Sequence, residues 1–182
     1  MKVISGIYKG RTLQGFNMPG TRPTMDRVKE SLFASIQESI HDATILDLFA
    51  GSASLAIEAL SQGAKEAYAV DKSHQAYKVI KENITKIGVK NCKVLLSDYK
   101  DALKSFSTQN LKFDLIFLDP PYDTEYIEKS LKLIAEYNLI NDTSLVICES
   151  NSLDKIIYSP YYKRLKEKKY GDKWVVILGK MC

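Results

Sequence analysis

Short apolar runs alternate with helix-like patterns from residue 44 onwards, and this alternation is the feature that most restricts the fold. The runs have the length of buried strands, and the segments between them carry apolar residues three or four positions apart, as amphipathic helices do. Strands separated by helices favour right-handed βαβ units. The sequence therefore predicts an α/β fold with a doubly wound, mostly parallel, Rossmann-like sheet. The predicted strands are 44–48, 66–70, 92–96, 113–118 and 144–149, and the predicted helices are 54–62, 73–87, 101–106 and 125–137.

The C-terminal part of the chain departs from this alternation. Two β patterns, 161–168 and 174–179, flank Tyr170-Gly171-Asp172-Lys173, which is typical of a hairpin turn. A hairpin at this point predicts an antiparallel edge on the sheet, which mixed sheets tolerate.

The N-terminal part forms a small appendage to the predicted sheet. Short β-like pieces, rich in glycine, precede an amphipathic pattern that runs from Val28 to Ile40, with Thr24 or Asp26 as its N-cap. We therefore predict a single domain, in which residues 1–42 are an N-terminal arm and helix and residues 43–182 are the α/β core.

Positive charge is concentrated towards both ends of the sequence. Residues 1–30 contain six basic and two acidic side chains, and residues 160–182 contain seven basic and two acidic, whereas the stretch between them is net negative. Clustered lysine and arginine supply contacts to phosphates, so this distribution favours a nucleic-acid partner. Two solvated, solubilising ends explain the charge count equally well.

The remaining composition predicts a cytoplasmic protein without a membrane partner. No apolar run approaches the roughly 20 residues of a membrane span, and the N-terminus lacks the apolar stretch of a secretory signal. The three cysteines, Cys92, Cys148 and Cys182, have no paired or metal-ligand spacing. We therefore expect no disulfide and no metal site, as in a reducing cytoplasm.

A glycine turn follows the first predicted strand, in Asp47-Leu48-Phe49-Ala50-Gly51-Ser52-Ala53. Gly51 lets the backbone turn sharply and approach a ligand, and the next helix directs its N-terminal N–H groups at the same space. Asp71 ends the second strand and can accept hydrogen bonds from ribose hydroxyls. Asp98, after the third strand, can accept one from an adenine amine. These residues predict a nucleotide-like cofactor and do not separate a dinucleotide from an adenosyl cofactor.

The fourth predicted strand runs into Asp119-Pro120-Pro121-Tyr122, which we interpret as the catalytic loop. Two prolines fix φ and remove two backbone donors, so the local surface presents mainly acceptors: the Asp119 carboxylate and the Pro120 carbonyl. Acceptors suit a substrate that donates, namely an –NH₂ group, and Tyr122 offers a flat face on which a base can stack. The loop therefore predicts methylation of an exocyclic base amine.

These motifs resemble the RsmD family, bacterial enzymes that methylate the N2 amine of a guanine in small-subunit ribosomal RNA. The similarity covers nearly the whole chain: the block from Arg22 to Phe33, the stretch from Leu46 to Ser61, and the loop from Asp119 to Tyr122. The resemblance implies a class I methyltransferase that uses S-adenosylmethionine and acts on ribosomal RNA. We take a monomer as the default and, because no recognition domain is visible, expect a small-subunit particle as the substrate. It implies a cofactor site of Asp47, Phe49, Gly51, Asp71, Lys72 and Asp98, and RNA contacts from Arg11, Arg22, Thr24 and Arg27.

One residue departs from the family pattern: Ala53 stands where a second glycine is usual. A negative φ at this position would tolerate the methyl group, whereas a positive φ would weaken cofactor binding.

Three alternatives stay open at this point. An adenine- or cytosine-amine methyltransferase of DNA or RNA shares a similar proline-proline loop, although no insertion of the size of a DNA-recognition domain is visible. A nicotinamide-dependent dehydrogenase would use Gly51 and Asp71 but leaves the Asp119 loop unexplained. A non-catalytic RNA-binding protein would use only the basic ends of the chain.

Overall fold

A mixed β-sheet lies at the centre of the computed structural model, which describes residues 1–15, 26–122 and 125–182. Within these residues, seven strands are hydrogen-bonded in one sheet. The strands are β1 Thr44–Asp47, β2 Glu66–Asp71, β3 Cys92–Leu96, β4 Phe113–Leu118, β5 Ile140–Ser150, β6 Tyr162–Tyr170 and β7 Lys173–Lys180. Their order is β3-β2-β1-β4-β5-β7-β6, in which β1 to β5 pair in parallel and β7 is antiparallel to both neighbours. The predicted α/β sheet with an antiparallel hairpin edge is thus confirmed.

Helices cover both faces of this sheet. They are α1 Asp26–Ile36, α2 Ser54–Ser61, α3 His74–Ile87, α4 Tyr99–Thr108 and α5 Tyr126–Glu136. One hydrophobic core joins the N-terminal arm, α1, α2 and α3 to side chains such as Ile45 and Phe117 of the sheet. A second core joins α4 and α5 to the opposite face, where Leu46 and Ile116 point. We refer below to the first of these as the α1 face of the sheet.

The predicted order of elements matches the structure, and the differences are local. Strand β5 begins at Ile140, four residues before its prediction, because its register against β4 shifts between Phe113 and Leu115. The Ser144 hydroxyl bridges this irregularity by donating to the Phe113 carbonyl at 2.7 Å. Helix α4 begins at Tyr99, because the Asp98 side chain caps it by accepting from Lys100 N at 2.9 Å.

A buried ion pair attaches the N-terminal arm to the helix that follows the glycine turn. Lys29 of α1 and Glu58 of α2 lie 3.2 Å apart with both side chains fully buried. Glu58 also accepts hydrogen bonds from the backbone N–H groups of Ile4 at 2.9 Å and Ser5 at 3.0 Å. A Cβ at Gly6 would lie 1.8 Å from the carbonyl oxygen of Ser61, so the arm packs here only with glycine. This fixes the arm beside the predicted cofactor loop.

The end of the described arm is tied to that loop directly. The buried Asn83 of α3 accepts from Gln14 N at 2.8 Å and donates to the carbonyls of Gln14 at 3.0 Å and Ser52 at 3.1 Å. The chain therefore leaves Gln14 next to the glycine turn. None of the helices in the described ranges combines the length and the apolar character that a membrane crossing requires.

Candidate active site

Five charged side chains at the carboxyl edge of the sheet project from its α1 face, and strand alternation explains this. Successive side chains of a strand point to opposite faces, so a residue two positions from a core residue shares its face. Ile45, Phe117, Ile147 and Val175 belong to the α1-face core. Four acids follow core residues of this face by two positions, and Lys173 precedes Val175 by two in the antiparallel β7. We call this group of five the charged edge: Asp47, Asp71, Asp119, Glu149 and Lys173.

Asp47 is an almost fully enclosed acid of the group, with 1% of its surface exposed. Its Oδ2 atom accepts a hydrogen bond from Ala56 N, in the first turn of α2, at 3.3 Å. Burial raises the pKa of Asp47 to about 7, the Ala56 hydrogen bond opposes the shift, and the charges of Asp71 and Glu149 add to it. A buried carboxyl of this kind suits a cationic ligand, which would favour its ionised form.

The glycine turn is held by Asp71. The two Asp71 carboxylate oxygens accept from Gly51 N and Ser73 N, each at 2.9 Å. Gly51 has a φ of +59°. Each carboxylate oxygen has two lone pairs, so these backbone contacts leave acceptor capacity for the predicted ribose hydroxyls.

Ala53 adopts the conformation that the sequence left undecided. Its φ is +62° and its ψ is 27°, in the left-handed region, and it forms the N-cap of α2. For a residue with a Cβ this conformation costs roughly 1–2 kcal/mol. The φ of Ala53 is therefore positive, which is the case for which we predicted weaker cofactor binding. The weaker binding itself stays a prediction.

Aromatic rings line the part of the edge between the glycine turn and α5. Phe49 stacks on Tyr126 with centroids 5.7 Å apart and an angle of 6° between the rings, and it also contacts Tyr99 at 5.5 Å. The predicted cofactor residue Lys72 donates to the Tyr126 hydroxyl at 3.3 Å. Asp98 precedes Tyr99, so the predicted adenine contacts and an aromatic surface lie together. The sequence pattern did not single out Tyr99 and Tyr126 because their apolar spacing serves the core equally well.

The predicted catalytic loop lies directly after β4, beside the end of β5. Pro120 is buried, Pro121 and Tyr122 are half-buried, and 16% of the Asp119 side chain is exposed. Leu118 pairs with Cys148, which brings Asp119 next to Glu149 on the adjacent parallel strand. The acceptor of the loop thus opens onto the charged edge that also contains Asp47.

Lys173 is a functional candidate that sequence reasoning missed. Its Nζ atom lies 2.8 Å from Glu149 Oε2 and 3.9 Å from Asp119 Oδ2, with 8% of the side chain exposed. Burial lowers the pKa of Lys173, but the charges of Asp119 and Glu149 outweigh it and raise the pKa above that of free lysine. The only available signal was the two-residue alternation of β7, which is informative once its pairing with β5 is known.

The predicted RNA contacts have different positions. Arg27 is exposed on α1, whereas exposed Arg11 donates to the Ile87 carbonyl at the end of α3. Arg22 and Thr24 lie outside the described residues. Two cations of the basic ends, Lys29 and Lys173, are buried in ion pairs and therefore do not contribute to an exposed basic surface. The other C-terminal cations lie mostly on the exposed edge strand β6: Lys163, Arg164, Lys166, Lys168 and Lys169.

A doubly wound sheet with an antiparallel β7, a glycine turn after β1, strand-end acids and an Asp-Pro-Pro-Tyr loop define a class I methyltransferase. The predicted enzyme class is confirmed, and the dehydrogenase and the purely binding alternatives are not favoured. The chain belongs to the family described as Conserved hypothetical protein 95, the RsmD family, whose model matches residues 1–179. The predicted family is therefore confirmed.

Relatives and solved structures agree with this assignment. The chain is 35% identical over 173 residues to Ribosomal RNA small subunit methyltransferase D of Haemophilus influenzae, covering 94% of this chain and 89% of the relative. It is 31% identical over 150 residues to the Escherichia coli K12 protein of that name, covering 82% and 74%. The structure of the candidate methyltransferase yhhF from Escherichia coli superposes with a TM-score of 0.84 at 29% identity, covering 99% and 97% of the two chains. The candidate methylase HI0767 from Haemophilus influenzae gives 0.81 at 32% identity, covering 99% and 98%.

Proposed function

We propose that this methyltransferase transfers a methyl group from S-adenosylmethionine to the N2 amine of a guanine in small-subunit ribosomal RNA. The observation that carries the proposal is the position of Asp119: its carboxylate opens onto the same charged edge as the buried Asp47. An acceptor for an amine and a buried acid suited to a cation therefore share one site, in a chain of a methyltransferase family.

The residues around the glycine turn fit S-adenosylmethionine, which supplies a methyl group activated by a sulfonium cation. Asp47 would bind the positively charged amino-acid part, and the turn at Gly51 allows close approach of the backbone. Asp71 has acceptor capacity for the ribose, and Phe49 and Asp98 offer a ring face and an acceptor for the adenine. Each of these residues was predicted for the cofactor.

The catalytic loop would act on the amine by gripping its hydrogens. The lone pair of an exocyclic base nitrogen is delocalised into the ring, so the nitrogen is a poor nucleophile. Acceptance of its two hydrogens by the Asp119 carboxylate and the Pro120 carbonyl would draw the nitrogen towards a pyramidal geometry and aim the lone pair at the donor. Tyr122 would stack on the base, a contact worth about 1–3 kcal/mol. A base that is stacked in folded RNA must first leave its stack.

Relatives and charge support RNA as the substrate class. The two named relatives are ribosomal RNA small subunit methyltransferases. In this chain, β6 places five cations on an exposed edge strand, and the Lys166 and Lys168 ammonium groups reach the hydroxyls of Ser35 and Ser31 on α1 at 2.7 and 3.3 Å. A basic surface thus continues from the sheet edge to the helix that carries Arg27. Such a surface supplies salt-dependent phosphate contacts.

We further propose that the protein acts as a monomer in the cytoplasm, on an assembled small-subunit particle. The described connections between strands contain no insertion of domain size, so recognition would depend on the basic surface and on the shape of a folded target. An assembled particle offers such a shape.

A label-transfer assay tests the proposal. The protein would be incubated with methyl-labelled S-adenosylmethionine and, separately, small-subunit particles that lack the modification, the free RNA, and DNA. We expect label in the particles and, in the same time, at least about 100-fold less with Asp119→Ala. Failure to label any pool, with cofactor binding intact, would overturn the proposal, and label in DNA alone would favour the adenine or cytosine alternative.

A further inference from the structure

Lys173 is an internal cation between two acids of adjacent strands. Only 7% of the residue is exposed, and its ammonium contacts Glu149 at 2.8 Å and Asp119 at 3.9 Å. Glu149 itself is 1% exposed. A buried lysine that pairs with the acceptor of the catalytic loop is therefore part of that site and not of the basic surface.

The turn of the hairpin that carries Lys173 is fixed on both of its sides. Gly171, with a φ of +61°, makes the tight turn between β6 and β7. Tyr170, the last residue of β6, shares a hydrogen bond of 2.7 Å between its hydroxyl and that of Ser31 in α1. On the other side, Trp174 pairs with Ser150 of β5. These contacts fix the backbone at Lys173 and so give its ammonium group a defined position.

The position has an electrostatic consequence. Asp119 directly follows β4, and Glu149 lies near the end of the adjacent parallel strand β5 on the same face. Their like charges would therefore repel each other without a cation between them. Lys173 lies within ion-pair distance of both carboxylates and neutralises one of the two charges. It contacts Glu149 closely and Asp119 more loosely, which leaves the Asp119 carboxylate able to accept from a substrate.

We propose that Lys173 is a positioning residue for methyl transfer: its ammonium, anchored on Glu149, keeps the Asp119 carboxylate ionised and directed towards the amine. This inference rests on the proposed function. Two further described groups face this cluster, Asp47 from β1 and Tyr122 from the loop itself, and neither is a cation. Lys173 is therefore the cation of the described residues that the structure places against Asp119.

The test compares Lys173→Met with Lys173→Arg and with a matched control, Lys180→Met. Lys180 lies on the same strand and is also paired, with Asp142 at 3.1 Å, but at the opposite end of β7. Single-turnover methylation of small-subunit particles would be measured between pH 5.5 and 9 with the full-length chain. For Lys173→Met we expect a fall of about 10- to 100-fold at neutral pH, as for a displaced catalytic group. The acid limb of the pH–rate profile of Lys173→Met should move to higher pH. The affinity of this variant for the cofactor should stay within about 3-fold of that of the parent. Lys173→Arg should recover most of the rate, and Lys180→Met should match the parent.

A double variant keeps the test informative if Lys173→Met folds poorly. Glu149→Gln with Lys173→Met removes both charges together, so the like-charged neighbour of Asp119 is gone. Its acid limb should return towards that of the parent while the rate stays low. A parental rate and pH profile in Lys173→Met would overturn the inference, as would a loss of rate with no change in the pH profile. Failure of the proposed function is distinguishable, because the parent protein would then label no particle at all.

Discussion

The charged edge has two halves that hold their carboxylates by different means. We call the part at β1 and β2 the cofactor half, and the part at β4, β5 and β7 the amine half. In the cofactor half, Asp71 is held by backbone N–H groups, and Asp47 accepts from Ala56 N. In the amine half, Asp119 and Glu149 share the ammonium of Lys173. Backbone donors orient a carboxylate and leave its charge uncompensated, whereas an ion pair compensates it. The first arrangement suits a cationic cofactor and the second a neutral amine.

This difference predicts that the two halves fail separately. The largest effect should come from Asp119→Ala, which removes the acceptor for the amine. We expect the single-turnover rate to fall by about 10²–10³-fold, the scale of losing one oriented hydrogen-bonding group at a reacting centre. Affinity for S-adenosylmethionine, measured by calorimetry, should change by less than about 3-fold. A comparable loss of cofactor affinity would remove the distinction between the halves.

The complementary change is Asp47→Asn, which keeps the shape of the side chain and removes its charge. We expect affinity for S-adenosylmethionine to fall by about 100-fold or more, because a buried charge partner of this kind is worth about 3–5 kcal/mol. The demethylated product keeps the same ammonium group, so its affinity, measured by calorimetry, should fall to a similar extent. Unchanged affinity for both would contradict the role of Asp47.

The pH dependence of cofactor binding should sharpen the comparison. Burial raises the pKa of Asp47 to about 7, so below that pH the free protein holds a proton that a cationic cofactor must displace. Affinity should therefore fall about tenfold per pH unit below 7 and level off above it. Asp47→Asn should show no such slope, and a parent curve without a slope between pH 5.5 and 7 would exclude the titration of Asp47.

The raised pKa of Asp47 also predicts that the stability of the fold depends on pH, in the opposite direction to cofactor affinity. The unfolded pKa of Asp47 lies near 4 and the folded pKa near 7, so between these values the folded protein binds more protons. The contribution is complete below about pH 4, and the free energy of unfolding should decrease as pH rises to about 7. Denaturant titrations of the parent and of Asp47→Asn would measure this, because the variant should lack the contribution.

The smallest effect should come from Ala53→Gly in the glycine turn. Glycine adopts the observed φ of +62° without strain, so up to about 1 kcal/mol, or roughly 5-fold in cofactor affinity, should be gained. Ala50→Gly is the matched control, since Ala50 lies in the same loop and is not among the residues with positive φ. The control should not raise the affinity, because glycine relieves no strain at Ala50 and only adds flexibility.

The two halves also differ in how much of them the sequence could predict. Asp47, Asp71 and Asp119 follow apolar runs directly, so the parallel sheet and its carboxyl edge could be anticipated from local patterns. The role of Lys173 depends on antiparallel pairing with β5, more than twenty residues away, and charge counting grouped it with exposed lysines of β6. The burial of Lys29 could not be predicted either, because it depends on the ion pair with Glu58 of another helix. The φ of Ala53 depends on a turn whose conformation its composition leaves undetermined.

The identity of the methylated nucleoside is the most direct test of guanine N2 methylation by this protein. Small-subunit particles that lack the modification would be treated with the protein and S-adenosylmethionine, digested to nucleosides and analysed by mass spectrometry against particles treated with Asp119→Ala. We expect one new product, N2-methylguanosine, that is formed in the same time at a yield at least about 100-fold lower with the variant. N6-methyladenosine, N4-methylcytidine or no methylated nucleoside in the treated particles would contradict it.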